Sequence, residues 1–227
     1  ERMLDFTPAV FAIEDSYNIV LYTSAPTMVS VSVSGESYYD DSNGIFRSQK
    51  PVHKVIVPAK ALDAAREYTV RLVPLIERKP YFTETAEPEE YTYSFRPVPK
   101  NPRCYHISDA HNRIEQPCLA AKTFGDIDFL VMNGDIPDHC GELENCKNIY
   151  VIADELTKGE IPIIFSRGNH DTRGTDGQKA WDEVINTHLD KTIPGLKRKN
   201  TNYYTVIGND LYMFYDVMNF DVAFFEQ

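Results

Sequence analysis

Basic charge is scarce in this chain. Lys and Arg together number 23 against 34 Asp and Glu, which leaves a formal net charge of −11. That balance offers no electrostatic footprint for nucleic acid, whose non-specific binding depends on clustered cations neutralising phosphates. Long apolar runs are missing as well, and no window approaches the roughly 20 residues that a membrane-spanning helix needs. The opening residues Glu1-Arg2-Met3-Leu4-Asp5 are charged from the start and show no secretory-signal pattern. No membrane association is expected, and the cytoplasm is the expected compartment. Cysteine is sparse too. Cys104, Cys118, Cys140 and Cys146 include no Cys-x-x-Cys pair. Their spacing fits zinc sites poorly, so reduced, partly buried thiols are expected. What remains is ordinary for a globular protein: 42% hydrophobic and 25% charged residues over 227 positions, enough for one or two domains.

Residues 1–97 read as all-β. Short runs rich in Val, Ile, Tyr and Thr recur at Val10–Ile13, Tyr17–Thr23, Met28–Val33, Val52–Val57, Tyr68–Leu75 and Tyr91–Phe95. Val29, Val31 and Val33 alternate with serines, the period of two that marks a strand with one buried face. Ala59–Arg66 breaks the pattern as a short helical turn. The spacing predicts an immunoglobulin- or fibronectin-like β-sandwich. Residues 98–102 form a Pro-rich linker that neither helix nor central strand accommodates. From residue 103 to 227 the periodicity changes to an α/β pattern. Strands are predicted at Cys104–Ile107, Phe129–Met132, Pro162–Ser166, Tyr203–Ile207 and Leu211–Asp216. Helices are predicted over Arg113–Phe124, Glu142–Lys158 and about Gln178–Leu189, and Gly208-Asn209-Asp210 signals a hairpin.

Three polar clusters follow the first three of these strands: Ser108-Asp109-Ala110-His111-Asn112, Asn133-Gly134-Asp135 and Gly168-Asn169-His170-Asp171. In a parallel sheet with helical crossovers, such loops emerge at one sheet edge and converge. If the first cluster prolongs its strand, Asp109 and His111 point to the same side and offer a carboxylate and an imidazole, a natural pair for Zn, Fe or Mn. Asp135 follows a glycine that permits close backbone approach, and its carboxylate can bridge two ions. Asn169 offers a neutral carbonyl oxygen, His170 an acid or base near neutral pH, and Asp171 a carboxylate able to orient that imidazole. Each cluster alone reads equally as a turn or a helix cap; their joint order points to a metal site.

Asp109-x-His111, Gly134-Asp135 and Gly168-Asn169-His170-Asp171 together resemble the calcineurin-like metallophosphoesterases, from residue 103 to about 220. A β-sandwich ahead of the catalytic domain is similar to the layout of purple acid phosphatases and their bacterial relatives. The resemblance implies two divalent or trivalent metal ions (Mn, Zn or Fe) and a phosphate-ester substrate. It makes Asp109 and His111 ligands of the first ion, Asp135 the bridge and Asn169 a ligand of the second. His170 would stabilise the transition state or protonate the leaving alkoxide. Arg167 would pair with Asp171 or contact substrate.

The match stops short. The family's later lone His and Gly-His-x-His are absent, and the last histidine, His188, lies in a helical segment. The α/β part is therefore expected to be the first half of an αββα domain whose C-terminal half is truncated, binding metal weakly and inactive alone. No Tyr follows Asp135 in Ile136-Pro137-Asp138-His139, which argues against a purple Fe(III)–Tyr site. His139 either touches metal or substrate or is a surface loop residue. Two other functions compete with phosphoester hydrolysis: a binding or scaffold protein that keeps the fold, and a nuclease, which the acidic charge disfavours. No specific protein partner is readable.

Overall fold

The computed structural model describes residues 3–40, 51–141, 143–177 and 202–216. Thirteen strands and four α-helices lie within these segments. The strands β1 (Ala9–Ile13), β2 (Ser16–Tyr22), β3 (Thr27–Val33), β4 (Glu36–Tyr39), β5 (Val52–Pro58), β6 (Glu67–Arg78), β7 (Thr83–Thr85) and β8 (Glu89–Ser94) precede residue 97, with helix α1 (Ala59–Ala65) between β5 and β6. After it come β9 (Cys104–Ile107), α2 (Glu115–Phe124), β10 (Phe129–Asn133), α3 (Leu143–Cys146), α4 (Asn148–Thr157), β11 (Ile163–Ser166) and the hairpin β12 (Tyr203–Ile207) and β13 (Asp210–Phe214).

The strands sort into sheets across the expected domain boundary. One mixed sheet runs β5-β2-β1-β11-β10-β9, and a second, antiparallel sheet holds β4-β3-β6-β7 with β8 on β6. β9, β10 and β11 are parallel, with Leu130 between Tyr105 and Ile163 in register. β1 joins β11 in parallel through Phe11 and Ile163 while pairing antiparallel with β2. The N-terminal strands are thus not hydrogen-bonded as a unit apart: three of them extend the sheet that carries the polar clusters. The reason lies in β1, Ala-Val-Phe-Ala-Ile, buried at every position. A continuous apolar strand needs cover on both faces and a partner on both edges, as central strands of α/β sheets do. β3 shows the contrasting pattern, with Val29, Val31 and Val33 buried and the residues between them half-buried, as its alternation predicts.

The two parts are stitched beyond the sheet. Tyr68 Oη donates to the Gly159 carbonyl at 2.7 Å, and the Arg96 amide donates to the Glu160 carbonyl at 2.8 Å. Helix α4 packs on β1, β10 and α2, burying Ile149, Tyr150, Ile152 and Ala153. The single helix expected over 142–158 is divided at Lys147 into α3 and α4, and Lys158 ends it in the left-handed conformation (φ 52°) just before Gly159. The hairpin is tied to the sheet by Tyr203, whose hydroxyl donates to the Phe165 carbonyl at 2.5 Å and accepts its amide at 3.0 Å. Among the described residues no helix is long and apolar enough to cross a membrane. The helix expected near Gln178–Leu189 lies outside the described residues.

Candidate metal centre

The loops after β9, β10 and β11 meet, and backbone hydrogen bonds set the meeting. Beyond the last paired residues of β9, the amides of Asp109, His111 and Asn112 donate to the carbonyls of Gly134, Asp135 and Ile136 at 3.0–3.2 Å. The two loops therefore continue side by side past the end of the sheet. They do so in unusual backbone: Asp109, His111, Asn112 and Asp135 all have φ between 45° and 65°. Non-glycine residues adopt that region rarely, with Asp, Asn and His among the most tolerant, and such residues cluster at functional sites. This also corrects the geometry expected from an extended strand end. Asp109 and His111 converge because both turn left-handed, with Asp109 Oδ1 3.8 Å from His111 Nε2.

The second and third loops touch through glycine. Gly134 sits at φ 74°, and a Cβ there would lie 2.6 Å from the Gly168 nitrogen. A Cβ on Gly168 would lie 2.2 Å from Asp135 Oδ1. The contact brings the Asp135 carboxylate to the third loop, where Oδ1 accepts the His170 amide at 2.8 Å. His170 opens a 3-10 turn, His170–Thr172, directly after exposed Asn169.

The result is a convergence of three loops. One ligand-type atom from each of His111, Asp135 and His170 lies within 4.8 Å of the others. The two imidazoles meet edge to face with centroids 4.4 Å apart. Asp138, which the sequence reading passed over, holds both rings. Its Oδ1 is 3.1 Å from His111 Nδ1, and its backbone carbonyl is 2.7 Å from His170 Nδ1. A carbonyl can only accept, so His170 Nδ1 carries the proton, and Nε2 lies 3.2 Å from Arg173 Nη1. The hydrogen bond from His111 holds the Asp138 carboxyl below the usual carboxylate range. Asn112 Oδ1 completes the support by accepting the Asp138 amide and Asn148 Nδ2 at 3.0 and 2.8 Å.

Asp171 lies beneath this floor, fully buried. Its Oδ2 accepts the amides of Gly168 at 2.6 Å and Asp135 at 3.2 Å, so one carboxylate fixes two of the loops. Burial pushes its carboxyl up to about 7, although the amides of Gly168 and Asp135 pull the other way. The unfolded carboxyl ionises near ~4, ahead of the folded one, so in the metal-free protein this group lowers stability as pH rises from about 4 to about 7. Asp171→Asn removes the charge. Its stability relative to wild type is expected to improve by about 2 kcal/mol between pH 5 and pH 8, read from urea midpoints. An unchanged difference across that range would contradict the assignment.

The other expected residues separate. Arg167 is not centred on Asp171; its Nε and Nη2 grip both oxygens of Asp216 at 2.7 and 2.8 Å, and Nη1 donates to Thr172 Oγ1 at 3.1 Å. Both members are buried, so this bidentate pair braces the end of β11 against the residue beyond β13. His139 Nε2 lies 3.3 Å from Asn145 Nδ2. All four cysteines are free; Cys104 is exposed and the others buried. A hydrogen bond to Cys146 and burial push the Cys140 thiol up. Among the described residues no cysteine joins a metal-type cluster. Asp138 and Asp216 were missed because each matters through a partner remote in sequence. Only the spacing of Asp138, three residues past Asp135 in the same loop, offered a signal.

Sequence comparison matches residues 102–224, just over half of the chain, to the family described as calcineurin-like phosphoesterase. No curated protein matches the chain. Among solved structures, purple acid phosphatase PPD1 from yellow lupin (Lupinus luteus) seeds is similar in fold, with a TM-score of 0.55 and 16% identity. The alignment covers 91% of this chain and 44% of that one, so the chain spans less than half the length of the lupin enzyme.

Proposed function

Because the chain belongs to the calcineurin-like phosphoesterase family, we propose that the natural protein hydrolyses phosphate mono- or diesters at a dinuclear metal site. The observation that carries this reading is the convergence of His111, Asp135 and His170 from three separate loops. The donor set fits the group: the His111 imidazole and the Asp135 carboxylate suit Zn, Mn or Fe, and His111 has its Nδ1 side engaged by Asp138, as ligating histidines are commonly held. Asp109, His111, Asp135 and Asn169 would hold the ions, with Asp135 shared. Bound there, the metals would supply the positive charge that lowers the pKa of an attacking water towards ~7 and offsets charge on the phosphoryl oxygens.

The protein's own residues do the rest. His170, hydrogen-bonded through Nδ1 to the Asp138 carbonyl, would act as the imidazolium, whose second proton, on Nε2, passes to the leaving alkoxide. Asp138 keeps both imidazoles from rotating, and Asp171 keeps the Asp135 and Gly168 amides in register. Arg167 acts as a brace through Asp216. The acidic charge supports a small phosphate ester over nucleic acid as substrate. Residues 1–97 constitute an immunoglobulin- or fibronectin-like sandwich, residues 98–102 a linker and residues 103–227 part of an αββα catalytic domain. The two antiparallel layers contributed by β1–β8 support the sandwich, one of whose sheets runs on into β11, β10 and β9.

Hydrolysis of nitrophenyl phosphate by the metal-loaded, full-length protein tests the reading. His170→Gln is expected to lower kcat by roughly 10²–10⁴-fold. An unchanged rate in that variant rejects His170 as the acid, and no hydrolysis of any ester by the wild type rejects the activity.

A further inference from the structure

The phosphoesterase reading leaves one charged group at the site without work. Arg173 lies three residues past His170, and its backbone is pinned on both sides. Its amide donates to the His170 carbonyl at 3.0 Å and its carbonyl accepts the Cys140 amide at 2.9 Å. Gly174 then packs directly on Gly141, where a Cβ would come within 2.9 Å of the Gly141 nitrogen. The side chain leaves this fixed segment, remains exposed, and sets Nη1 3.2 Å from His170 Nε2 and 3.4 Å from Nδ1. The guanidinium therefore lies against both ring nitrogens of His170, a residue of the three-loop convergence.

Charge makes this position informative. Asp109, Asp135, Asp138 and Asp171 all surround the convergence, yet no carboxylate among the described residues pairs with Arg173. The neighbouring guanidinium, Arg167, is buried and bidentate on Asp216. Arg173 is therefore a cation held at an acidic site, with most of its five donors uncommitted among the described residues. Planar, paired donors match the oxygens of a phosphoryl group better than any other common anion bar a carboxylate. A terminal phosphoryl group offers three non-bridging oxygens and close to two negative charges near neutral pH, whereas a diester offers two oxygens and one charge.

Resting on the proposed phosphoesterase activity, we infer that Arg173 binds the non-bridging oxygens of the substrate's terminal phosphoryl group and selects monoesters over diesters. Arg173→Gln and Arg173→Lys, made in the full-length metal-loaded protein, test this against nitrophenyl phosphate and bis-nitrophenyl phosphate. For Arg173→Gln the expected loss in kcat/KM on the monoester is roughly 10–100-fold, carried mainly by KM, with the diester changed by less than about 3-fold. Competitive inhibition by inorganic phosphate should weaken in parallel, and lysine should restore part of both, since charge returns without the fork. Equal losses on the two esters, or none on either, would overturn the inference while leaving the activity standing. A wild type that hydrolyses neither ester would instead overturn the phosphoesterase reading, and this inference with it.

Discussion

Asp135→Asn is expected to lower phosphoester hydrolysis by about 10³-fold while the protein still folds. The two effects separate because the residue has two tasks. Its Oδ1 accepts the His170 amide at 2.8 Å, and an asparagine Oδ1 can accept the same bond, so the third loop keeps its place. What the amide cannot supply is the negative charge that the proposed bridging role requires at the point where three loops meet. Elemental analysis should show metal lost along with activity, and circular dichroism should be unchanged. If the variant bound metal and turned over at the wild-type rate, Asp135 would not be the bridge. If it unfolded, its role would be structural first.

Gly134→Ala carries the largest expected cost in stability, about 2–5 kcal/mol, because two penalties coincide. At φ 74° an alanine pays for the left-handed conformation, about 1–2 kcal/mol. Its Cβ would also sit 2.6 Å from the nitrogen and 2.7 Å from the Cα of Gly168. Those are backbone atoms, which cannot swing away as a side-chain end can, and overpacking of this kind typically adds about 1–3 kcal/mol. Gly35 is the natural control. It has φ 84° but nothing within 4 Å of an added Cβ, so Gly35→Ala should cost only about 1–2 kcal/mol. Denaturant midpoints separate the two. Equal losses would mean that the second and third loops do not approach as closely as Gly134 and Gly168 indicate.

The three clusters were legible because each follows a short apolar strand, and parallel pairing carries strand ends to a common edge. β9, β10 and β11 lie side by side for that reason. The conformation of the first loop was not legible. Period-two reasoning applies only while the chain stays extended, and Asp109, His111 and Asn112 leave that region to keep hydrogen-bonding to the second loop. The change in composition near residue 97 was readable, but the strand connectivity across it was not. The prolines of 97–102 mark a change in periodicity, whereas the pairing of Phe11 with Ile163 depends on two apolar strands about 150 residues apart finding one another. Arg167 shows the same limit: its partner Asp216 is 49 positions away, and nothing local distinguishes that carboxylate from Asp171. Sequence distance hides such pairs because burial and fork geometry select the partner only once the chain is folded.

Anomalous diffraction from crystals of the full-length protein grown with Mn(II) would test the central claim most directly. Peaks are expected between the loops after β9, β10 and β11, within coordination distance of Asp109, His111, Asp135 and Asn169. Peaks elsewhere with that space empty would contradict a metal centre built from these three loops.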